Sequence, residues 1–308
     1  MARKATLIVL LVLTLFFFSF PKIIEVNAQT TIYIKGDGNV EGTDKIQRDG
    51  IAYTFIDNIV NQSIIVERDN IVVDGANYTL EGGHIWLENR RNVTIKNMQI
   101  ANSDEGIRIM GNSINNTIIG NTIKGIKTTT GNAIWVTLGA TNTTIARNNL
   151  TGNNIGIYVE MSGGTTISEN RFETNGIGIW LSGSQNRIIR NDIISNNRGI
   201  LVSIEKNYIQ HNNFINNSIQ GEASPTSSSN TWDDGYPSGG NYWDNYNGTD
   251  NNGDGIGDTP YIIDENNQDN YPLMNQSIIP EFPSWIILPL LMITTLTVIV
   301  YKKRMLKR

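Results

Sequence analysis

Two sets of residues in this chain have the types and spacings that chemistry requires. The first is a run of oxygen donors, Asp250-x-Asn252-x-Asp254-Gly255-Ile256-x-Asp258. Side-chain oxygens at positions 1, 3, 5 and 9, glycine at 6 and the main-chain carbonyl of Ile256 at 7 reproduce the first part of a calcium loop, because a hard cation wants many oxygens on one tight turn. Position 12 is Tyr261 and not a bidentate Glu, so the helix–loop–helix form is excluded. Calcium here would lock the C-terminal part of the chain where no disulfide can; the competing reading is a metal-free acidic turn. The second set is Trp86, Arg108, Trp135, Tyr158, Trp180 and Leu201, each the middle residue of an apolar-x-apolar triplet such as Ile134-Trp135-Val136. In an extended chain the middle residue points away from its two neighbours. Flat rings recurring along one face suit carbohydrate binding, with Arg108 and Glu160 at hand for hydroxyl or carboxylate contacts. Equally, the rings stack on one another or lie beneath a terminal segment.

Two weaker sets accompany these. Arg147, Glu169, Arg190 and His211 recur at the same interval, as do Arg171 and Asp192. They read as surface ion pairs worth ~1 kcal/mol or less each, or as a groove for an acidic polysaccharide. Trp232, Tyr236, Tyr242, Trp243 and Tyr246 read as a plug over an exposed core end, or as a further sugar subsite.

The elements that carry these residues repeat. The pattern Ile-x-x-Asn-x-apolar places Asn121, Asn148, Asn170, Asn191 and Asn212 at intervals of 27, 22, 21 and 21 residues. A second column runs through Asn153, Asn175, Asn196 and Asn217, and a second strand begins at Ile107, Ile134, Ile157, Ile179 and Ile200. Apolar residues at i and i+2 are strand alternation. Short strands on a period near 22 fit one turn of a parallel β-helix, stacked at ~4.8 Å per coil. The expected fold is therefore all-β, a parallel β-helix of about 7–8 coils of 21–27 residues, giving a rod roughly 35–40 Å long. Asn tolerates the left-handed backbone of a sharp corner and its amide can bond to copies above and below, so the columns are expected to be structural. Gly156, Gly178 and Gly199 make room at the next corner.

Composition bounds the rest. There is no Cys and a formal net charge of −5 over 308 residues. Arg3 and Lys4 precede an apolar run, Ala5 to Phe20, that ends at Val26-Asn27-Ala28, the pattern of a secretory signal cleaved between Ala28 and Gln29. Trp285 to Tyr301 is apolar and followed by Lys302, Lys303, Arg304, Lys307 and Arg308. This is long enough to span a bilayer as a helix with a cytoplasmic tail. Removing both ends leaves an exported part near −12 in charge, which argues against nucleic acid as a partner. Nine Asn-x-Ser/Thr sequons, at Asn61, Asn77, Asn92, Asn115, Asn142, Asn149, Asn216, Asn247 and Asn275, offer surface sites for N-linked glycan. The expected organisation is a signal peptide (1–28), an N-terminal cap (29–63), β-helix repeats (64–229), an aromatic and acidic C-terminal cap (230–279), and a sorting and membrane segment (280–308).

The repeated coils resemble the NosD-type right-handed β-helix repeats over roughly residues 64–220. The stretch Asn230 to Met274 resembles the C-terminal segment of surface-exported NosD-like proteins of archaea, and Pro280-Glu281-Phe282-Pro283-Ser284 resembles a PEF-type sorting signal. The resemblance implies processing by an archaeosortase-like enzyme and tethering to the envelope; a plain membrane anchor is the alternative. It also implies copper binding, carbohydrate binding or sugar hydrolysis. Copper favours His, Cys or Met ligands, and two His about five coils apart without Cys do not supply them. The functional reading is thus a surface-tethered protein that binds polysaccharide or envelope glycan without catalysis. The alternatives are a polysaccharide lyase, hydrolase or epimerase, and a structural spacer.

Overall fold

The computed structural model describes residues 30–126, 128–129, 131–224 and 229–278. Ala28, Gln29 and the segment from 280 to 308, with the expected signal cleavage, sorting signal and membrane helix, lie outside the described residues. Among the described residues there is no helix, and the strands form three long sheets of ten, nine and nine members plus a two-stranded pair. The three long sheets are the faces of a parallel β-helix of about eight turns, and the chain visits each sheet once per coil.

The register follows from the repeat. Ile85–Glu88 pairs in parallel with Ile107–Met110, and that strand with Asn132–Val136. Ile155–Glu160, Ile177–Ser182 and Arg198–Val202 follow in the same sheet. Inward residues therefore stack in columns. Ile85, Ile107, Ile134, Ile157, Ile179 and Ile200 line one sheet, while Val73, Ile95, Ile118, Ile145, Ile167, Ile188 and Ile209 line the second. All of them are fully buried. β-branched side chains pack well on such a pleated surface, so the interior is mostly Ile and Val, varied by Phe172 and Phe214.

The asparagine columns are buried and bonded from coil to coil. The Oδ1 of Asn148 accepts the main-chain N–H and the Nδ2 of Asn121, and Asn170, Asn191 and Asn212 continue the chain of bonds. The left-handed corner, however, is not at these asparagines. It lies one residue earlier, at Gly120, Arg147, Glu169, Arg190 and His211, with φ of 67°, 55°, 57°, 54° and 56°. The reason is geometric: the preceding residue reverses the chain, and this turns the Asn amide inward under the next coil. The glycines act through space and not through φ. A Cβ at Gly156, Gly178 or Gly199 would collide with the carbonyl oxygen of Gly178, Gly199 or Gln220 on the next coil. Gly178→Ala is expected to cost about 1–3 kcal/mol through this overpacking, read as a lower urea midpoint.

Both ends of the rod are modified coils. The part expected as an N-terminal cap joins the ladder directly: Thr30–Ile34 pairs in parallel with Gln62–Val66, and Ala52–Phe55 with Val72–Asp74. The antiparallel strands Val40–Glu41 and Ile46–Asp49 then cover two of the three end edges, which blunts edge-to-edge pairing. At the other end Trp243 is sandwiched between Phe214 and Tyr261, each 4.2 Å away between ring centroids. With Trp232, also 1% exposed, it plugs the core. Tyr236 stays 62% exposed, so it is outside the plug.

Candidate functional site

The outward column of the first sheet is continuous. Parallel pairing puts Ile65, Trp86, Arg108, Trp135, Tyr158, Trp180, Leu201 and Glu222 in one line, one per coil. The rings face each other along the rod axis. Trp135 and Tyr158 stack at 6.0 Å and 16°, Tyr158 and Trp180 at 4.6 Å and 26°. His84 stacks on Trp86 at 4.7 Å. The Arg108 guanidinium lies between two indoles, 4.0 Å from the Trp135 ring and 5.5 Å from that of Trp86. A spacing of one strand is about one ring thickness plus contact distance, so successive rings cover each other's faces. Of the two sequence readings of this row, the geometry realises mutual stacking: the row presents ring edges to solvent, not a series of free faces.

The row opens at Arg108. Where Arg108 replaces an aromatic, a cavity of about 320 Å³ is lined by Gly82, His84, Ser103, Asp104, Glu105, Arg108 and Trp135. This volume is at the low end of the ~300–1,000 Å³ typical of small-molecule sites. Glu105 is 8% exposed and its Oε1 accepts from Arg108 Nε at 2.8 Å. Burial raises the Glu105 carboxyl above its ordinary value, with the Arg108 charge opposing. Burial and the same Arg108 charge lower the His84 imidazole, with Asp104 opposing. The cavity thus holds a neutral imidazole, a paired carboxylate and an exposed one, against an indole wall. The Nε1 of Trp135 is buried with no acceptor among the described residues.

Of the sequence-selected residues, Arg108 and Trp135 line the cavity and Trp86 backs Arg108. Tyr158 and Trp180 continue away from it. Glu160 is turned to its neighbours, accepting from Thr137 Oγ1 at 2.8 Å and from the Tyr158 hydroxyl at 3.4 Å; Trp180 Nε1 donates to Ser203 Oγ at 3.1 Å. Spacing alone does not join His84, Asp104 and Glu105 to the row. They sit two to four positions from a row member, on the bend entering the strand, and fall outside the triplet pattern.

The weaker sets resolve into surface contacts. Arg147 and Glu169 pair at 2.7 Å and His211 lies 3.7 Å from Asp234. Arg171 bonds to Glu173 at 3.1 Å and not to Asp192, although it is registered against Asp192 on the next coil; the Asp192 carboxylate instead accepts from Asn213 Nδ2. All nine sequon asparagines are exposed, and none of the ladder asparagines belongs to a sequon. For the first ladder the fold explains the second fact, because the residue two beyond each Asn is an inward apolar one, as Ile123, Leu150, Phe172, Ile193 and Phe214.

Metal donors are dispersed. Asp250 spends its carboxylate on the amides of Gly253, Asp254 and Gly255, Asp254 on that of Ile256, and Asp258 on Asn251. Asn252 Oδ1 accepts from the Asp254 amide. Among the described residues no three His, Cys, Asp or Glu side chains converge on a metal position. The soft donors do not fit a copper centre either: His84 and His211 have five coils between them, Met98 is buried in the core, and Met161 is 62% exposed.

A different acid sits at the end of the first asparagine ladder. Asn212 donates to Asn241, and the Asn241 amide and Trp243 Nε1 donate to Asp269 Oδ2 at 2.7 and 2.9 Å. Burial pushes the Asp269 carboxyl from the ordinary 3.8 up to about 6. The folded state then holds this proton more tightly than the unfolded chain. Its contribution favours folding below about pH 4 and is lost as pH rises to about 6, by up to roughly 3 kcal/mol at about 1.4 kcal/mol per pKa unit. The expected result is that Asp269→Asn flattens the slope of stability against pH between about 4 and 6, measured by denaturant midpoints. An unchanged slope would assign it to other groups.

Comparisons with known proteins give a family match over most of the chain and solved structures of low identity. The sequence model of the NosD family, described as periplasmic copper-binding protein, matches residues 25–248. A search of curated proteins gave no match. Among solved structures, the periplasmic alginate epimerase AlgG is 16% identical with a TM-score of 0.48, over 56% of this chain and 46% of the epimerase. The tailspike protein of E. coli bacteriophage HK620, in complex with hexasaccharide, is 11% identical with a TM-score of 0.35, over 62% of this chain and 48% of the tailspike. An alginate lyase from Paenibacillus sp. str. FPU-7 is 14% identical with a TM-score of 0.29, over 60% of this chain and 75% of the lyase. This chain therefore aligns with less than half of the epimerase.

Proposed function

Because the chain belongs to the NosD family, whose description is periplasmic, we propose that it is an exported β-helix protein that binds polysaccharide or envelope glycan at the Trp135 cavity, without catalysis. The observation that supports this is the break in the stacked row. There an indole wall, an arginine, two carboxylates and a serine hydroxyl surround one cavity, the mixed apolar and polar lining that small-ligand sites share. Further along, Trp135, Tyr158 and Trp180 cover one another's facing sides. An array of polysaccharides probed with residues 29–280 tests the reading; retention of none would remove it.

A second reading is an enzyme acting on the same glycan. It is favoured by one observation: His84 and Glu105 share a cavity and their pKa values are displaced from normal in opposite directions, as suits a general base and a general acid. New reducing ends or unsaturated products from a retained polysaccharide would favour it over binding alone.

Export through cleavage at Ala28–Gln29, and tethering through the 280–308 segment by a sortase-like enzyme or a membrane helix, complete the proposal. They rest on the sequence patterns. Calcium at Asp250, Asn252, Asp254, Ile256 and Asp258 rests on spacing, and would require these carboxylates to exchange their loop amides for the ion. Chelation is expected to lower the melting temperature; an unchanged melt would remove calcium from the account.

A further inference from the structure

The charges around the cavity select among glycans. Among the described residues, Arg108 is the one cation in its lining. It is already ion-paired to Glu105 and held between two indoles. His84 is kept neutral by burial and by Arg108. Asp104 is exposed, its main-chain oxygen accepts from Thr128, and its carboxylate has no hydrogen bond or ion pair among the described residues. One cation against two carboxylates leaves the lining with one negative charge in excess, on the Asp104 side.

A uronate entering here would bring its carboxylate against Asp104 and Glu105 while Arg108 is already engaged. Placing like charges together across an interface costs several kcal/mol. A neutral sugar meets no such penalty and gains no charge pairing. A protonated amine meets an unpaired carboxylate and can form a charge-assisted hydrogen bond with it, about twice as strong as a neutral one. Resting on the glycan reading above, we propose that the cavity recognises an amino sugar with a free ammonium group, with Asp104 as its counter-ion, in preference to neutral or uronic sugars. The likeness to proteins named for alginate then reflects the scaffold and not the ligand.

The test is titration of residues 29–280 with three soluble probes of matched length: glucosamine oligomers, their N-acetylated forms and galacturonate oligomers. Glucosamine oligomers are expected to bind at least tenfold more tightly than the other two, and Asp104→Asn to abolish that preference. Glu265→Gln removes one charge from the distant cap, where Glu265 is exposed, and is expected to leave the preference intact. Four outcomes would overturn the inference: uronate bound as tightly as the amine, equal binding of amine and N-acetyl forms, a preference that survives Asp104→Asn, or a preference that Glu265→Gln reduces as much. The last would mean attraction to net charge. Equal binding of neutral and amino forms leaves the glycan reading standing, whereas failure of all three probes together with an empty array removes both.

Discussion

Asn191→Ala should lower stability by about 3–5 kcal/mol, the largest effect expected of a single side chain in this fold. Asn191 is fully buried. Its Oδ1 accepts from the main-chain N–H and the Nδ2 of Asn170, at 2.9 and 3.0 Å. Its Nδ2 donates to Ile167 O, Ile189 O and Asn212 Oδ1 at 2.9, 3.2 and 2.8 Å. Truncation strands two donors of Asn170 and the carbonyl of Ile167 inside the rod, where water cannot reach them. Each unsatisfied buried group costs roughly 1–3 kcal/mol, and partial relaxation brings the sum to the stated range. At this chain length that is a fall of about 6–20 °C in Tm. Asn197→Ala on the same coil is the control. That side chain is exposed, and such changes are usually within about 0.5 kcal/mol. Similar losses for both variants would refute a ladder that holds the coils together.

Trp135→Ala should reduce glycan retention at least tenfold, about 1.4 kcal/mol, while Trp180→Ala leaves it within twofold. Both indoles belong to the outward row and both stack on Tyr158. Each truncation therefore loses aromatic contact worth about 0.5–1.5 kcal/mol per pair, and the two variants should melt at similar temperatures. They differ in position. Trp135 forms the cavity wall and carries the Arg108 guanidinium; Trp180 is two coils further on, roughly 10 Å away. Buried aromatic anchors dominate recognition surfaces. A loss shared equally by the two variants would place the ligand on the row as a whole, and no loss in either would place it elsewhere.

The repeat was legible because the fold imposes the same demands every coil. An inward Ile or Val, a buried Asn and a small residue at Gly156, Gly178 and Gly199 each answer a constraint that recurs, so their spacing gave the strands and the register. The left-handed corners ahead of the first ladder were less legible than those at Asn92, Asn115, Asn142 and Asn216, where Asn takes the positive φ. Arg147, Glu169, Arg190 and His211 occupy them at a cost of roughly 1–2 kcal/mol each, and no residue type marks the position. A third ladder was also hidden. It runs through Asn186, Asn207 and Asn230, with Asn116 earlier in the same corner, but Thr143 and Thr165 interrupt it. Their buried hydroxyls have no partner among the described residues.

The candidate site was half legible for the same reason. Trp86, Arg108 and Trp135 occupy a repeating position and could be aligned by counting. His84, Asp104 and Glu105 occur once, on a bend, and join the row only through the fold. Mutual stacking of the rings was one of two readings that sequence left open, since the choice depends on ring orientation and not on spacing.

The most direct measurement follows the tryptophan indole N–H resonances of residues 29–280 as a retained glycan is titrated in. The account predicts that the Trp135 and Trp86 signals shift and saturate together, while those of Trp232 and Trp243, buried in the plug, stay in place. Shifts confined to Trp180, Trp232 or Trp243, or no shift under saturating glycan, would contradict a binding site at the Arg108 break.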